Sequence, residues 1–224
     1  MKRPILLALS LFMAISAMAQ GYQTHFQSAT EPQTLLPNFP RASARQEVIL
    51  PTVNGYTPYK ADLHMHSTYS DGVMKYTGKG RIHEAWRDGL DIIAVTDHMG
   101  IKNYPDKQGV TTPELNDAVK TAEGYGILVI PGVEITGDPK TLGHFNALFT
   151  TDNNAIYDID PMQSLRNARK QGALITQNHP GWSRKNCNIT EFEQKAYDEG
   201  LIDGIEVANN MTFYPPVVRR AIEK

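Results

Sequence analysis

Short apolar runs recur along the chain from Tyr59 onward, and segments with helix start and stop signals separate most of them. The runs predict strands at Ala61–Met65, Asp91–Thr96, Ile127–Pro131, Phe145–Phe149, Ala173–Thr176 and Asp203–Ala208. Each run is almost continuously apolar, which is typical of strands that are covered on both faces. The pattern therefore indicates a sheet that lies between other layers of the protein.

Four helices are predicted between these strands. They run from about Ile82 to Gly89, from Pro113 to Gly124, from Pro161 to Gly172 and from Thr190 to Gly200. The second and third begin with a capping residue followed by proline, and the fourth begins with the capping box of Thr190 and Glu193. Strands that alternate with helices of this length predict an α/β protein with βα units and a parallel sheet, closed as a barrel or open.

The first 19 residues have the pattern of a secretory signal peptide. Lys2 and Arg3 precede the apolar run Ile5–Ile15, and small residues follow up to a predicted cleavage site after Ala19. The run is too short to span a bilayer, so no membrane span is expected after the signal is removed. These features predict a secreted or periplasmic protein. Residues 20–58 are polar and proline-rich and predict a loosely ordered leader, which leaves 59–224 as the folded domain.

Charge and cysteine content narrow the possible chemistry. The 224 residues carry a formal net charge of −2, and no run of lysine and arginine forms a basic patch, so no specific nucleic-acid partner is indicated. A single cysteine, Cys187, excludes an internal disulfide framework and any cysteine-rich zinc module. Any metal site must therefore be built from histidine and carboxylate side chains.

The first predicted strand carries two histidines, His64 and His66, two positions apart. Residues i and i+2 of a strand point to the same face, so both imidazoles can reach one point in space. Asp71 follows just beyond the strand end. Two ring nitrogens and a carboxylate suit zinc, manganese or iron, although such a pair can also be ordinary half-buried strand residues.

Further candidate ligands follow at the ends of later runs. They are His98, Glu134, His144 and His179. Most of them lie at the carboxyl end of a predicted strand, where βα-barrel active sites assemble, and His144 is the exception because it begins its run. Five of the seven histidines fall in this pattern, and His25 and His83, the latter expected on an exposed helix face, lie outside it. The sequence therefore predicts a metal cluster.

The motifs DLHMHSTYSDG, TDH, GVEIT, GHFNALF, NHPGW and GIEVAN, in this order, resemble the PHP (polymerase and histidinol phosphatase) superfamily of metal-dependent phosphoesterases. Within this superfamily, the chain most resembles secreted bacterial phosphodiesterase-type members. The resemblance implies a distorted (βα)7 barrel with two to three divalent metal ions at its carboxyl-terminal face.

The resemblance also implies roles for individual residues. His64 and His66 would bind the first metal, Glu134 would bridge to the second, His144 and His179 would complete the second, and Asp71 and His98 would bind the third. Asp97 would support the imidazole of His98. The family's last strand carries an Asp-x-His motif, but none follows Glu206 here. About six of seven βα units are therefore expected, and a chain ending there is expected to have weak activity or none.

The predicted function is hydrolysis of a small phosphoester, more specifically a diester, by a metal-activated water. Two alternatives stay open: an amidohydrolase-type metal hydrolase, and an inactive metal-binding module. Candidate substrate contacts are Arg184, Lys185, Asn209 and Asn210, each of which could equally be ordinary solvated loop polarity. Trp182 could form the wall of a substrate pocket or cap the barrel rim.

Overall fold

A computed structural model describes residues 45–71, 77–99, 113–182, 184, 187–209 and 212–223 of the chain. The strands are β1 (Ala61–Met65), β2 (Ile92–Val95), β3 (His98–Met99), β4 (Leu128–Val129), β5 (Gly132–Thr136), β6 (His144–Leu148), β7 (Leu174–Asn178), β8 (Gly204–Ile205), β9 (Ala208–Asn209) and β10 (Thr212–Phe213). The helices are α1 (Gly78–Arg87), α2 (Pro113–Ala122), α3 (Pro161–Lys170), α4 (Glu191–Asp198) and α5 (Pro215–Glu223).

The strands form two main sheets and a hairpin. One sheet has the parallel order β1-β2-β4, and the other has the order β3-β5-β6-β7-β8. The predicted parallel pairing is found for β1-β2-β4, β3-β5 and β7-β8, whereas β6 is antiparallel to both β5 and β7. The connection from Thr136 to His144 is too short for the crossover that a parallel neighbour requires, and β6 therefore reverses direction.

Two predicted strands, Asp91–Thr96 and Ile127–Pro131, are each followed by an unpredicted strand, β3 or β5, where the chain passes from one sheet to the other. Pro131, which has no N–H group to donate, separates β4 from β5, and the pairing changes there from β2 to β3. Glu134 therefore lies inside β5, although the sequence pattern had predicted that it follows a strand. His98 likewise begins the short strand β3 after β2 has ended. Because β3 pairs in parallel with β5, His98 stands opposite Glu134.

The helix ends follow the predicted capping signals. The Asp160 side chain accepts a hydrogen bond from the Met162 N–H at the start of α3, and Thr190 and Glu193 form the predicted capping box of α4. The main core lies between the larger sheet and helices α3 and α4, with Phe145 and Ile175 at its centre. Among the described residues, no helix is both long and apolar enough to cross a bilayer.

A buried ion pair joins α4 to the loop that follows β7. Glu193 is fully buried and accepts hydrogen bonds from both terminal nitrogens of Arg184, at 2.6 and 2.7 Å. It lies close beneath Gly143, where a Cβ atom would come within 2.7 Å of Glu193 Oε1. One carboxylate therefore supports two backbone segments, the one before His144 and the one after His179.

We expect Glu193→Ala to lower the free energy of unfolding by about 3–5 kcal/mol, because it leaves the Arg184 charge buried without its partner. Urea denaturation followed by circular dichroism measures the change. Glu191→Ala is the matched control, since Glu191 is exposed two residues away in the same helix and its loss should change stability little. Equal effects of the two substitutions would show that the buried pair does not stabilise this part of the fold.

Candidate metal centre

Five strands bring the seven predicted residues to one edge of the fold: β1, β3, β5, β6 and β7. Strands β1, β3, β5 and β7 end at this edge, while β6 begins there because it is antiparallel to β5 and β7. The register places His144 opposite both Thr136 and Asn178, at the carboxyl ends of β5 and β7. The reversed direction of β6 therefore explains why His144 begins its run and still joins the cluster.

The Glu134 carboxylate lies at the centre of the cluster and is fully buried. All five predicted histidines surround it. The Oε1 atom lies 3.3 Å from His64 Nε2, 3.4 Å from His144 Nδ1 and 3.5 Å from His179 Nε2. The Oε2 atom lies 3.7 Å from His66 Nε2 and is in closer contact with His98 Nδ1. Asn178 donates a hydrogen bond of 2.8 Å from its amide to Oε1. The carboxylate is thus enclosed by ring nitrogens and one amide.

Asp71 forms the exposed side of the cluster. Its Oδ2 lies 3.2 Å from His98 Nε2, and its Oδ1 lies 3.7 Å from His66 Nδ1. Half of the Asp71 side chain is exposed, whereas the His98 ring is only 8% exposed. The cluster therefore has a closed interior at Glu134 and an open rim at Asp71 through which a solute can approach.

The donor atoms fit divalent cations. Within the described chain, four groups of three side chains place their donor atoms within 4.8 Å of one another: His64–His66–Glu134, His64–His179–Glu206, His66–Asp71–His98 and His98–Glu134–His144. The Nδ1 atom of His144 is buried and makes no hydrogen bond to any described residue, although Glu134 is near. Imidazole nitrogens mixed with carboxylate oxygens are the donors that zinc, manganese and iron take.

The carboxylates and imidazoles of the cluster shift one another's pKa values. Burial alone would raise the pKa of Glu134, but the imidazoles around it, led by His144 and His179, hold that pKa well below its usual value. Burial alone would lower the pKa of His64, but Glu134 and Glu206 raise it to about 10. The pKa of His98 is raised to about 9 against the same effect of burial, by Asp71 and Glu134. Burial dominates at His66 and lowers its pKa to about 4.

Glu206 is a member of the cluster to which the sequence analysis assigned no role. Its Oε1 lies 3.0 Å from His64 Nδ1, and its Oε2 accepts a 2.7 Å hydrogen bond from the His179 N–H. Contact through Nδ1 orients the His64 ring so that Nε2 faces Glu134. Glu206 lies within the predicted run Asp203–Ala208 and directly follows the observed strand β8, as other members of the cluster follow their strands.

The predicted role of Asp97 was wrong. Its carboxylate accepts hydrogen bonds from the Ser67 N–H and hydroxyl and from the Ser70 hydroxyl, at 2.6–2.8 Å. It therefore holds the turn between His66 and Asp71. The Thr136 hydroxyl, 2.8 Å from His98 Nδ1, is the neighbour that supports that imidazole together with Glu134. Short sequence distance between Asp97 and His98 had suggested a contact, but successive residues of extended backbone point to opposite sides.

The remaining candidates have different environments. Arg184 is held by Glu193, and Asn209 donates to Glu206, so both side chains support the protein around the cluster. Trp182 is 62% exposed beside the cluster and does not close the rim as a buried cap. Against prediction, His83 is half-buried and contacts the Tyr125 ring. His25, Lys185 and Asn210 lie outside the described residues.

Comparisons with known proteins agree with this geometry. The family model of the PHP domain matches residues 62–208. A Bacteroides vulgatus crystal structure, of a two-domain protein containing a predicted PHP-like metal-dependent phosphoesterase, is 37% identical with a TM-score of 0.72 and covers 81% of this chain. The chain spans 53% of that protein's length. This likeness confirms the predicted PHP-type α/β fold.

Two further proteins resemble this chain less than the Bacteroides vulgatus protein does, one because its sequence identity is lower and the other because the match covers a smaller share of the chain. A Bifidobacterium adolescentis protein assigned as a metal-dependent phosphoesterase shares the fold at 17% identity, with a TM-score of 0.53 over 74% of this chain and 83% of its own. A Haemophilus influenzae protein named as a 5′-3′ exoribonuclease is 36% identical over 77 residues, which are 34% of this chain and 23% of that protein.

We expect the chelator-treated protein to lose stability as the pH rises from 6.5 to 10. His64 and His98 bind protons more tightly in the folded state, so their contribution is complete below the unfolded pKa of 6.5 and is lost through pH 9 and 10. The lowered pKa of His66 acts in the opposite sense, but only up to about pH 7.5, above which its ring is neutral in both states. Thermal melts at stepped pH measure the slope, and His64→Gln/His98→Gln should make it shallower. A melting temperature that stays constant or rises in the unsubstituted protein would contradict this account.

We expect Glu206→Gln to weaken metal binding by roughly 10–100-fold, because His64 loses the carboxylate that orients its ring. Competition with a chromogenic zinc chelator measures the affinity. Glu199→Gln, at an exposed ion pair with Arg166 on the helix surface, is the control and should leave zinc affinity unchanged. Unchanged affinity in Glu206→Gln would remove Glu206 from the site.

Proposed function

Since the chain belongs to the PHP domain family, we propose that it is a metal-dependent phosphoesterase that hydrolyses small phosphodiesters. The observation that carries the proposal is the fully buried Glu134 carboxylate with five imidazoles around it. Such a cluster is costly in a protein that needs it only for folding, because every buried polar group must find a partner. As a binding site for divalent cations it has the donors that phosphoester hydrolysis requires.

Seven side chains would hold two or three zinc, manganese or iron ions, in the sets that the family resemblance implies. They are His64, His66, Asp71, His98, Glu134, His144 and His179. Divalent cations supply Lewis acidity, which lowers the pKa of water and polarises phosphoryl oxygens. The donor groupings observed in the protein support at least two such positions, one at Glu134 with His64 and His66 and one at Glu134 with His98 and His144, which share only the Glu134 carboxylate.

The chain's own residues fix the site and leave one side open. The Asn178 amide and the imidazoles hold both oxygens of Glu134 in place, and Glu206 holds His64 by its outer nitrogen. The hydrogen bonds of Asp97 to Ser67 and Ser70 fix the turn that carries Asp71. A phosphoester would therefore approach over Asp71, where the cluster is exposed, without any rearrangement of the buried side chains.

Two observations favour a small diester as the substrate. The Haemophilus influenzae relative is named as an exoribonuclease, and RNA is a phosphodiester polymer. The net charge of −2 and the absence of a basic run in the sequence do not favour tight binding of a long nucleic acid, which depends on basic residues along the phosphate backbone. A diester with two small substituents satisfies both observations.

We also propose that the reaction takes place in the periplasm or outside the cell. The proposal rests on the signal-peptide pattern of residues 1–19. Cell fractionation followed by N-terminal sequencing of the mature protein tests it. A mature protein that begins at Gln20 in the periplasm or medium would support the proposal, and an uncleaved cytoplasmic protein would contradict it.

We expect the zinc- or manganese-loaded protein to hydrolyse bis(4-nitrophenyl) phosphate at a low rate that still exceeds its rate with 4-nitrophenyl phosphate, and Glu134→Gln to lower kcat/KM more than about 100-fold. That loss exceeds the range for a residue that only orients a metal ligand. Release of 4-nitrophenolate measures the rate, and metal analysis shows whether ions are lost at the same time. The exposed-surface variant Glu199→Gln should retain full activity.

The alternative functions have distinct results in this assay. Metal binding with cleavage of neither ester would contradict the phosphoesterase proposal and favour the inactive binding module. Cleavage of an amide or lactone substrate in place of both esters would favour the amidohydrolase. Faster cleavage of the monoester than of the diester would leave the phosphoesterase class in place and overturn the diester preference.

A further inference from the structure

Trp182 lies at the rim of the metal cluster and presents a large apolar ring to solvent. The residue is 62% exposed, and its ring centroid lies 5.6 Å from that of His179 and 6.0 Å from that of His144. Both imidazoles are predicted metal ligands. A group esterified to a phosphate held beside these two imidazoles can therefore reach this indole.

The turn that carries Trp182 is firmly held. The Trp182 N–H donates a 2.9 Å hydrogen bond to the carbonyl of His179, which closes the turn. At Gly181 a Cβ atom would collide with the Tyr214 ring and the Cys187 sulfur, so the turn packs directly on these two buried side chains. The indole is therefore exposed on a fixed backbone, which favours binding because little freedom is left to lose.

We propose that Trp182 is a stacking platform for a planar aromatic substituent of the substrate, such as a nucleobase or an aryl ring. The inference rests on the proposed phosphoesterase function, since the cluster must hold the phosphate for the substituent to reach the indole. Aromatic rings stack on one another and on every nucleobase. The platform therefore selects for an aromatic substituent rather than for one particular base.

The surroundings of Trp182 favour an aromatic group over a charged one. The nearest described cationic side chain of the same loop, Arg184, is only 12% exposed and is held in its ion pair with Glu193. Asn209, after β8, donates to Glu206. The Arg184 and Asn209 side chains are thus used within the protein, while the indole offers an uncovered apolar face. Recognition beyond the phosphate would therefore come from the indole.

Calorimetric titration of the zinc-loaded protein with four ligands tests the proposal. They are AMP, phenyl phosphate, ribose 5-phosphate and inorganic phosphate. We expect AMP to bind about 5- to 150-fold more tightly than ribose 5-phosphate, as one base–aromatic stack provides. Trp182→Ala should reduce AMP affinity to that of ribose 5-phosphate and leave phosphate affinity unchanged. Trp182→Phe should retain most of the preference, whereas Trp182→Leu should lose most of it.

Fluorescence adds a direct readout of the indole. The chain has two tryptophans, and Trp86 packs against the Tyr125 ring between α1 and the residues after α2. In a Trp86→Phe background the signal comes from Trp182 alone, and AMP should quench it where ribose 5-phosphate does not. Phe149→Ala is the matched control, because Phe149 is an exposed aromatic at the opposite end of β6 from His144 and its loss should not change AMP affinity.

The outcomes separate this inference from the function on which it rests. If phosphate binds and diesters are hydrolysed, but AMP and ribose 5-phosphate bind equally with or without Trp182, the stacking platform is refuted and the phosphoesterase stands. If AMP binds more tightly but phenyl phosphate does not, the substituent is a nucleobase rather than any aryl ring. If neither phosphate nor AMP binds the zinc-loaded protein, the proposed function and this inference both fail.

Discussion

The fully buried carboxylate of Glu134 is the constraint on which the rest of the structure depends. A carboxylate without water is tolerated only when positive charge and hydrogen-bond donors surround it. Here five imidazoles and the Asn178 amide do so, and they come from distant parts of the chain. The carboxylates of the cluster raise the pKa values of His64 and His98, so these imidazoles carry protons that divalent cations would displace on binding.

The support around the cluster extends to residues that would not bind metal. The Glu193–Arg184 pair fixes the segments next to His144 and His179, and Asp97 fixes the turn between His66 and Asp71. These contacts hold the imidazoles in place before any ligand arrives, which is what a pre-organised site requires. The exposed rim, with Asp71 on one side and Trp182 on another, is the part of the site that this support leaves accessible.

Local signals predicted much of this arrangement. The first strand was predicted with its observed bounds because the apolar run Ala61–Met65 coincides with the strand. The capping signals correctly predicted where α3 and α4 begin. The seven side chains that the fold brings together could be singled out because histidines and carboxylates recur at strand ends. What local patterns could not predict depends on tertiary pairing: the reversed direction of β6, the change of sheet at Pro131, and the roles of Asp97 and Glu206. Each of these depends on contacts between residues far apart in sequence.

The most direct test of this account is anomalous diffraction at the zinc edge from crystals of the zinc-loaded protein. We predict at least two zinc positions that contact Glu134, each about 2.0–2.2 Å from one of its oxygens and bound also by ring nitrogens of the surrounding histidines. Zinc found only away from Glu134, or a Glu134 carboxylate that keeps its imidazole contacts with no cation beside it, would contradict the claim that this buried charge exists to bind metal.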